Sequence, residues 1–425
     1  MSGDRGAAAA PAAALDGPLE ELAGQPLRLA MFSPMPPAPT GIADYVAGLL
    51  DVLPARWEID VFAEERLGVH RPVGPRRWVV PLEQWSRRER MNPYDLAVHH
   101  VGNSETFHYP ILMAQRCPGL LVLHDVVLHP ARVSHHLRTH DLDSYREALR
   151  RGRPDVADEV GHLVAGGFGT PALYWNFPMC EDLVCASRLT VVHGELLAGW
   201  LRAQVPEARV ASVVHWLPAP DPSEELVEQW RADLGVHDDR PLLGAFGHIG
   251  PEHRIAMVLD VLADIADDHD FAFVAVGSAD SALARLPAAR RLGQRARWTG
   301  RVSSGDFEAL MRATDIAINL RYPTARASSG TQQHLLRLGT PTVIHDLVHL
   351  RDIPEDAVRR VPTGTVEVEK AALRAALVEW LTDSAIRHRA GKAGLQWAAQ
   401  TISREAMRAS YVAAVGRAIA GDGSL

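Results

Sequence analysis

Apolar residues along this chain fall in short runs, each followed by a polar loop and then by a stretch with helical spacing. Residues 27–32 (LRLAMF) form the first run and lead into Ser33-Pro34-Met35-Pro36-Pro37-Ala38-Pro39-Thr40-Gly41, whose prolines exclude regular structure. Thr40 predicts an N-cap, because Ile42, Tyr45, Val46, Leu49, Leu50 and Leu53 recur at the three-and-four spacing of one buried helix face. Strand, loop and helix in that order open a parallel α/β sheet. Further strands are predicted at 57–62, 96–100, 120–124 and 189–193, with helical patterns at 182–186 and 196–204.

A proline-rich break at 217–224 (LPAPDPSE) separates this half from a second one built on the same plan. There the strands are predicted at 242–247, 271–276, 297–299, 316–320 and 342–345, and the helices at 255–265, 305–311 and 331–338. From 367 to about 420 the pattern is almost continuously helical. The expected fold class is α/β, with two Rossmann-like doubly wound domains: a flexible tail over 1–26, a first domain over 27–218, a second over 219–395, and a C-terminal helix over 396–425.

Composition narrows the class. At 425 residues, 47% hydrophobic and 23% charged, the chain has the make-up of an ordinary folded globular protein. A formal net charge of −8 argues against nucleic acid or an anionic bilayer as the main partner, so membrane contact is at most peripheral. No stretch approaches the roughly 20 apolar residues of a spanning helix. Three cysteines without a Cys-x-x-Cys pair indicate neither a disulfide framework nor a structural zinc site, which fits a reducing cytoplasm. Arginine is abundant and lysine occurs only at Lys370 and Lys392, a bias of GC-rich bacterial genomes. The 20 histidines include the pairs His99-His100 and His135-His136, but neighbours in a strand face opposite ways and no His-Glu-x-x-His helix accompanies them. No metal site is expected.

Ligands of doubly wound sheets lie at the carboxyl ends of the strands. That places His124-Asp125, Gly102-Asn103-Ser104 and His193-Gly194 in the first half at candidate positions. In the second half Gly247-His248-Ile249-Gly250, Gly277-Ser278-Ala279 and Ala327-Ser328-Ser329-Gly330 are small-residue loops whose amides can approach phosphate oxygens. Arg254 opens the helix after the first of these loops and Arg321 ends a strand; two guanidinium forks there could neutralise a diphosphate. Each loop taken singly is also ordinary turn chemistry.

Residues 32–37 (FSPMPP), 40–45 (TGIADY), Gly102-Asn103-Ser104, Pro118-Gly119 and Leu123-His124-Asp125 resemble the acceptor half of retaining GT-B glycosyltransferases of family four, within glycosyl transferases group 1. Residues 299–302 (TGRV), 315–324 (DIAINLRYPT), Ser329-Gly330 and 339–343 (GTPTV) resemble the donor half. The resemblance implies a GT-B fold with its two domains facing a central cleft and a C-terminal helix crossing back to the first. It further implies transfer of a sugar from a UDP- or GDP-sugar to a hydroxyl of a bacterial glycan or natural product, with retention of configuration. The nucleotide sugar is then a co-substrate, and neither a cofactor nor a metal is expected. The acceptor hydroxyl attacks from the face the leaving group departs and a donor phosphate oxygen takes its proton, so no enzymic nucleophile is needed.

Residue by residue, the resemblance puts Gly41 against the donor phosphates and His124, with Asp125, beside the transferred sugar. It places Asn103 and His108 on the acceptor side, Val302 at the base, and Ser328, Ser329 and Gly330 at the diphosphate. The sequence departs from the pattern at His248 and His253, which replace cationic residues, at Arg326-Ala327, where an acidic residue is usual, and at His334, which replaces a glutamate. Arg254, Arg321 and Arg326 are the candidates to restore positive charge; nothing obvious restores the carboxylate. A degenerate, non-catalytic relative that binds a glycan or partners an active transferase is the alternative, and other nucleotide-sugar chemistry such as epimerisation is a third. No Gly-x-Gly-x-x-Gly follows any strand, which argues against a nicotinamide enzyme.

Overall fold

The computed structural model describes residues 17–64, 71–237, 240–278 and 280–421. The chain divides into two compact units: 1–216 with 325–328 and 401–425, and 217–324 with 329–400. Residues 1–16 of the expected tail, and Ala279, lie outside the described residues.

The N-terminal unit holds an eight-stranded sheet made of β1 (Arg28–Phe32), β2 (Glu58–Ala63), β3 (Arg71–Gly74), β4 (Arg77–Pro81), β5 (Leu96–Val101), β6 (Leu120–Leu123), β7 (Leu189–His193) and β8 (Val210–Val213). Their order is β3-β4-β2-β1-β5-β6-β7-β8, and every pairing is parallel except β3 with β4. Pro72 in β3 is tolerated because that strand is an edge. Thr40 caps the helix Gly41–Val52 by accepting from Ala43 N at 3.1 Å, as its sequence position predicts. Part of the expected tail is not a tail: Gly17–Gly24 is a helix, with Ala23 buried. It packs on the last helix, Arg404–Ala420, which also covers β8 and Gly41–Val52 with Met407, Tyr411, Val412 and Val415 fully buried.

The C-terminal unit holds a six-stranded, wholly parallel sheet: β9 (Leu242–Phe246), β10 (Ala272–Val276), β11 (Ala296–Gly300), β12 (Ile316–Asn319), β13 (Thr342–His345) and β14 (Val358–Val361), in the order β11-β10-β9-β12-β13-β14. Both faces are buried. Leu243, Ala245, Phe273 and Ile316 enter one apolar cluster, while Leu242, Phe246, Val274 and Ala317 enter the other. That is why these strands read as continuous apolar runs rather than alternating ones.

The stretch expected to be almost continuously helical forms three helices, Val366–Thr382, Ser384–Thr401 and Arg404–Ala420, broken at Asp383 and at Ile402-Ser403, so the helix expected from 396 starts at Arg404. Ser403 accepts from Ala406 N at 3.0 Å and so starts the last of them. Sequence patterning also left 126–180 without elements, where the chain forms the helices His129–Thr139, Leu142–Gly152, Ala157–Ala165 and Pro171–Asn176. These bury a small core of their own around Tyr145, Leu149 and Val160.

The helix Ser384–Thr401 approaches the turn at Gly339 so closely that a Cβ on Gly391 would lie 2.1 Å from Gly339 O. Gly391→Ala is therefore expected to destabilise the C-terminal unit by about 1–3 kcal/mol, the usual cost of forcing extra volume into packed structure. An unchanged calorimetric melting transition in that variant would disprove the close approach.

Candidate functional site

In the N-terminal unit four adjacent strands each deliver a histidine at or just beyond their C-terminal ends: His100 on β5, His124 after β6, His193 ending β7 and His215 after β8. The rings form a row. His100 Nδ1 lies 3.0 Å from His124 Nε2, and His124 Nδ1 lies 3.1 Å from His193 Nε2. His215 stacks on His193 with centroids 4.6 Å apart, and its Nδ1 is 2.6 Å from Ser328 Oγ. At the other end the Tyr411 hydroxyl is 3.1 Å from His100 Nε2, and the buried Tyr45 ring meets His124 edge-on. Each ring contact needs an N–H on one side and a lone pair on the other, so the tautomers are matched along the row.

Burial among like groups keeps His100, His124 and His193 neutral. Desolvation, reinforced by His193 and His100, pushes His124 well below the ordinary histidine range. Desolvation together with His193 and His99 takes His100 down to about 3, and desolvation takes His193 to about 4. His124 has both ring nitrogens engaged by other histidines. Asp125 beside it accepts from Asn103 N at 2.9 Å, so the ends of β5 and β6 are tied together, and the Asn103 Oδ1 is buried without a partner. His108 is drawn elsewhere: it stacks on His135, and burial with His135, His136 and Arg138 takes it down to about 3. Gly41 opens its helix with open space where a Cβ would sit.

Arg326 and Ser328, expected with the donor residues of the second half, belong to the N-terminal unit. The Arg326 guanidinium lies 4.3 Å from the centre of the Trp200 ring, and the residue adopts the left-handed conformation at φ 52°. Ala325 O accepts from both Val126 N and Val127 N, at 2.9 and 3.2 Å.

In the C-terminal unit the neighbouring strands β9, β10 and β11 run into or end in glycines with positive φ: Gly247 (110°), Gly277 (123°) and Gly300 (65°). Gly277 N donates to Gly300 O at 2.9 Å, and a Cβ at Gly277 would lie 2.0 Å from Gly247 O, so no other residue fits. A Cβ at Gly247 would face Thr331 Oγ1 at 3.9 Å and Arg321 Nη2 at 4.0 Å. Glycine backbone, the Arg321 fork at the end of β12 and the first turn of the helix Gly330–Leu338 thus border one small cradle. Ser329 caps that helix by accepting from Gln332 N at 3.3 Å. A side-chain relay orients the arginine: Gln332 Oε1 accepts from Asn319 Nδ2 at 2.9 Å, and Asn319 Oδ1 accepts from Arg321 Nε at 3.2 Å.

The other expected donor residues have these settings. His248 is exposed, its Nδ1 2.7 Å from Ser278 Oγ. His253 is buried, and its Nδ1 accepts from Gly250 N at 3.2 Å, which puts the ring proton on Nε2. Burial and nearby Arg321 push its pKa down against the upward pull of Glu252. Arg254 stands at φ 56° between the short 3-10 turn Pro251–His253 and the helix Ile255–Ile265. Its fork is taken: Nε and Nη2 donate to Glu369 Oε2 and Oε1 at 3.1 and 2.9 Å. Val302 packs half-buried beside Phe246 and Phe307, and His334 falls to about 4 through burial and Arg337. A Cβ on Gly330 would touch Leu217 Cδ1 at 3.1 Å.

Glu369, His345, Asn319, Gln332, His100 and His215 were not singled out as site residues by the sequence, whereas His193-Gly194 was placed at a candidate position. His193 and His100 carried a signal, a histidine at a strand end. His215 follows a strand that patterning missed, and Glu369 lies in a charged helix start (TVEVEK) that reads as solvent-exposed. Among the described residues, no group of three or more His, Cys, Asp or Glu side chains is placed to hold a metal ion.

The histidine row makes stability pH-dependent. The folded state holds His100 and His193 unprotonated down to about pH 4, whereas the unfolded chain protonates them near pH 6.5, so the unfolded state binds more protons between those values and stability falls on acidification through that window. In chemical denaturation at pH 4.5–6.5, His193→Leu is expected to flatten the wild-type slope by about 1 kcal/mol per pH unit. An unaltered slope would mean that His193 titrates normally in the fold.

Residues 227–397 match the family model described as glycosyl transferases group 1. No relative is found among curated protein sequences. Among solved structures, sucrose-phosphate synthase from Thermosynechococcus elongatus superposes with TM-score 0.60 at 16% identity, over 90% of this chain and 96% of that one. HepE from Anabaena, solved with UDP-glucose, gives TM-score 0.60 at 14% identity over 91% and 98%. The catalytic domain of starch synthase IV from Arabidopsis thaliana, bound to ADP and acarbose, gives 0.55 at 12% over 93% and 100%. Two parallel-sheet units of these topologies, the group 1 match over most of the second, and similarity along nine-tenths of the chain identify the fold as the two-domain α/β fold of GT-B glycosyltransferases.

Proposed function

We propose that this chain is a retaining glycosyltransferase of family four, moving a sugar from a nucleotide-diphosphate sugar to a hydroxyl of a bacterial glycan or natural product in the cytoplasm. The observation that carries the reading is the coincidence of the group 1 match, residues 227–397, with the unit whose strand ends form the Gly247, Arg321 and Gly330 cradle. HepE and starch synthase IV, similar in fold, were solved with UDP-glucose and with ADP.

Within this reading the C-terminal unit takes the donor. Backbone N–H groups at the start of Gly330–Leu338 and the Arg321 guanidinium offset charge that grows on the departing diphosphate. Asn319 and Gln332 hold that guanidinium in place beforehand, so little reorganisation accompanies the step. The donor phosphate accepts the acceptor proton, and no protein nucleophile or metal is required. The N-terminal unit takes the acceptor, with Asn103 and Asp125 at the ends of β5 and β6 as polar contacts.

A second reading, a non-catalytic relative that binds nucleotide or glycan, is favoured by one feature. The Arg254 charge is compensated by Glu369 and the His253 ring has its pKa pushed down, so fewer cations serve the diphosphate than the sequence suggests.

Incubation with UDP-, GDP- and ADP-sugars, with chromatography of the released nucleoside diphosphate and NMR of the sugar anomer, separates the two. The transferase is expected to release one nucleoside diphosphate and to give product of unchanged anomeric configuration. Arg321→Ala is expected to lower the rate roughly 10²-fold, the scale for loss of one preorganised charge donor. Nucleotide binding without release from any donor would support the second reading, and an inverted anomer would overturn retention.

A further inference from the structure

We infer that Glu369 is a positioning residue for the donor cradle, holding two strand-end loops of the C-terminal unit in register through one buried carboxylate; this rests on the nucleotide-sugar reading above. Glu369 lies in the first turn of Val366–Thr382, and its side chain is fully buried. Three groups from three other segments surround its oxygens. Arg254, after the β9 loop, donates through Nε and Nη2. Gly364 N donates to Oε1 at 3.3 Å. His345, ending β13, places Nε2 at 3.5 Å from Oε2.

The histidine transmits the constraint. Arg321 N donates to His345 Nδ1 at 2.9 Å, so Nδ1 carries the lone pair and the ring proton sits on Nε2, the nitrogen 3.5 Å from the carboxylate and without a hydrogen bond of its own. The same ring therefore pins the backbone of Arg321, whose guanidinium borders the cradle at Gly247. Tyr322, next in the chain, lies under the Arg254 guanidinium at 5.5 Å and edge-on to His345. Its N donates to Glu252 O at 2.8 Å, which ties the β12 loop back to the turn preceding Arg254. A carboxylate removed from water demands donors, which Arg254 and Gly364 N supply, and the His345 ring that holds Arg321 N packs 3.5 Å from the same carboxylate.

A buried ion pair could serve stability alone, so the test must read the site. Titration calorimetry with UDP, GDP and ADP, each against its monophosphate, measures what the terminal phosphate adds to binding. Glu369→Gln is expected to weaken the diphosphate that the wild type binds at least tenfold while the monophosphate changes less than twofold. His345→Leu, which removes the acceptor for Arg321 N, is expected to do the same, and His345→Asn, whose Oδ1 can accept that N–H, to recover most of the loss. If Glu369→Gln does not fold, the His345 pair carries the test. Equal losses for diphosphate and monophosphate, or no loss, overturn the positioning role while leaving the nucleotide reading intact. A wild-type protein that binds none of these nucleotides overturns that reading, and the inference with it.

Discussion

Every strand of the C-terminal sheet runs the same way, so all six C-terminal ends, and the loops that leave them, emerge along a single edge. Among β9, β10 and β11 the pairing persists to the last residues and the backbones stay close, which leaves no room for side chains where these strands turn away. Gly277 shows the limit, since a single added carbon would collide with the carbonyl of Gly247. The absent side chains leave space next to Arg321 and the start of Gly330–Leu338, whose dipole favours an anion. The phosphate chemistry proposed for this edge is a consequence of parallel topology before it is a consequence of any particular side chain.

Charge at that edge is governed by what is buried beneath it. The count of arginines and histidines in the loops suggests a strongly cationic pocket, but Glu369 compensates Arg254 and burial discourages a proton on His253. Charge that balances a buried carboxylate is unavailable to an incoming phosphate in the same measure. What the pair supplies is fixed geometry. Arg254 is held at a left-handed backbone position unusual for a non-glycine residue, and the bidentate contact supports that conformation.

In the N-terminal unit the same topology gathers histidines rather than glycines. Four strand ends bring four imidazoles into line, Tyr411 bonds the His100 end of the row, and the Tyr45 ring lies across it. Neutral imidazole is well suited to such a place, because it offers one donor and one acceptor and can chain to its own kind. The high histidine content thus finds a structural use in a buried polar network, where His124 is bonded on both sides by His100 and His193. His99, adjacent to His100 but facing the other way, bonds Cys117 O at 2.9 Å instead.

By itself the sequence determined the α/β class, the restart after residue 217, most central strands, the Thr40 cap and the glycine and arginine positions at the strand ends. Periodicity and turn chemistry are local, so adjacent residues suffice to write them. Tertiary structure decided the rest: the short strands β3, β4, β8 and β14, which are defined by their pairing with neighbouring strands rather than by an apolar run; the helices between 126 and 180; the breaks in the last helical stretch; and the company each site residue keeps. Glu369 and Arg254 are far apart along the chain and meet only because Val366–Thr382 packs beside Ile255–Ile265. A carboxylate's burial, and hence whether it binds a ligand, holds an arginine or faces water, follows from that packing and leaves no mark in local pattern.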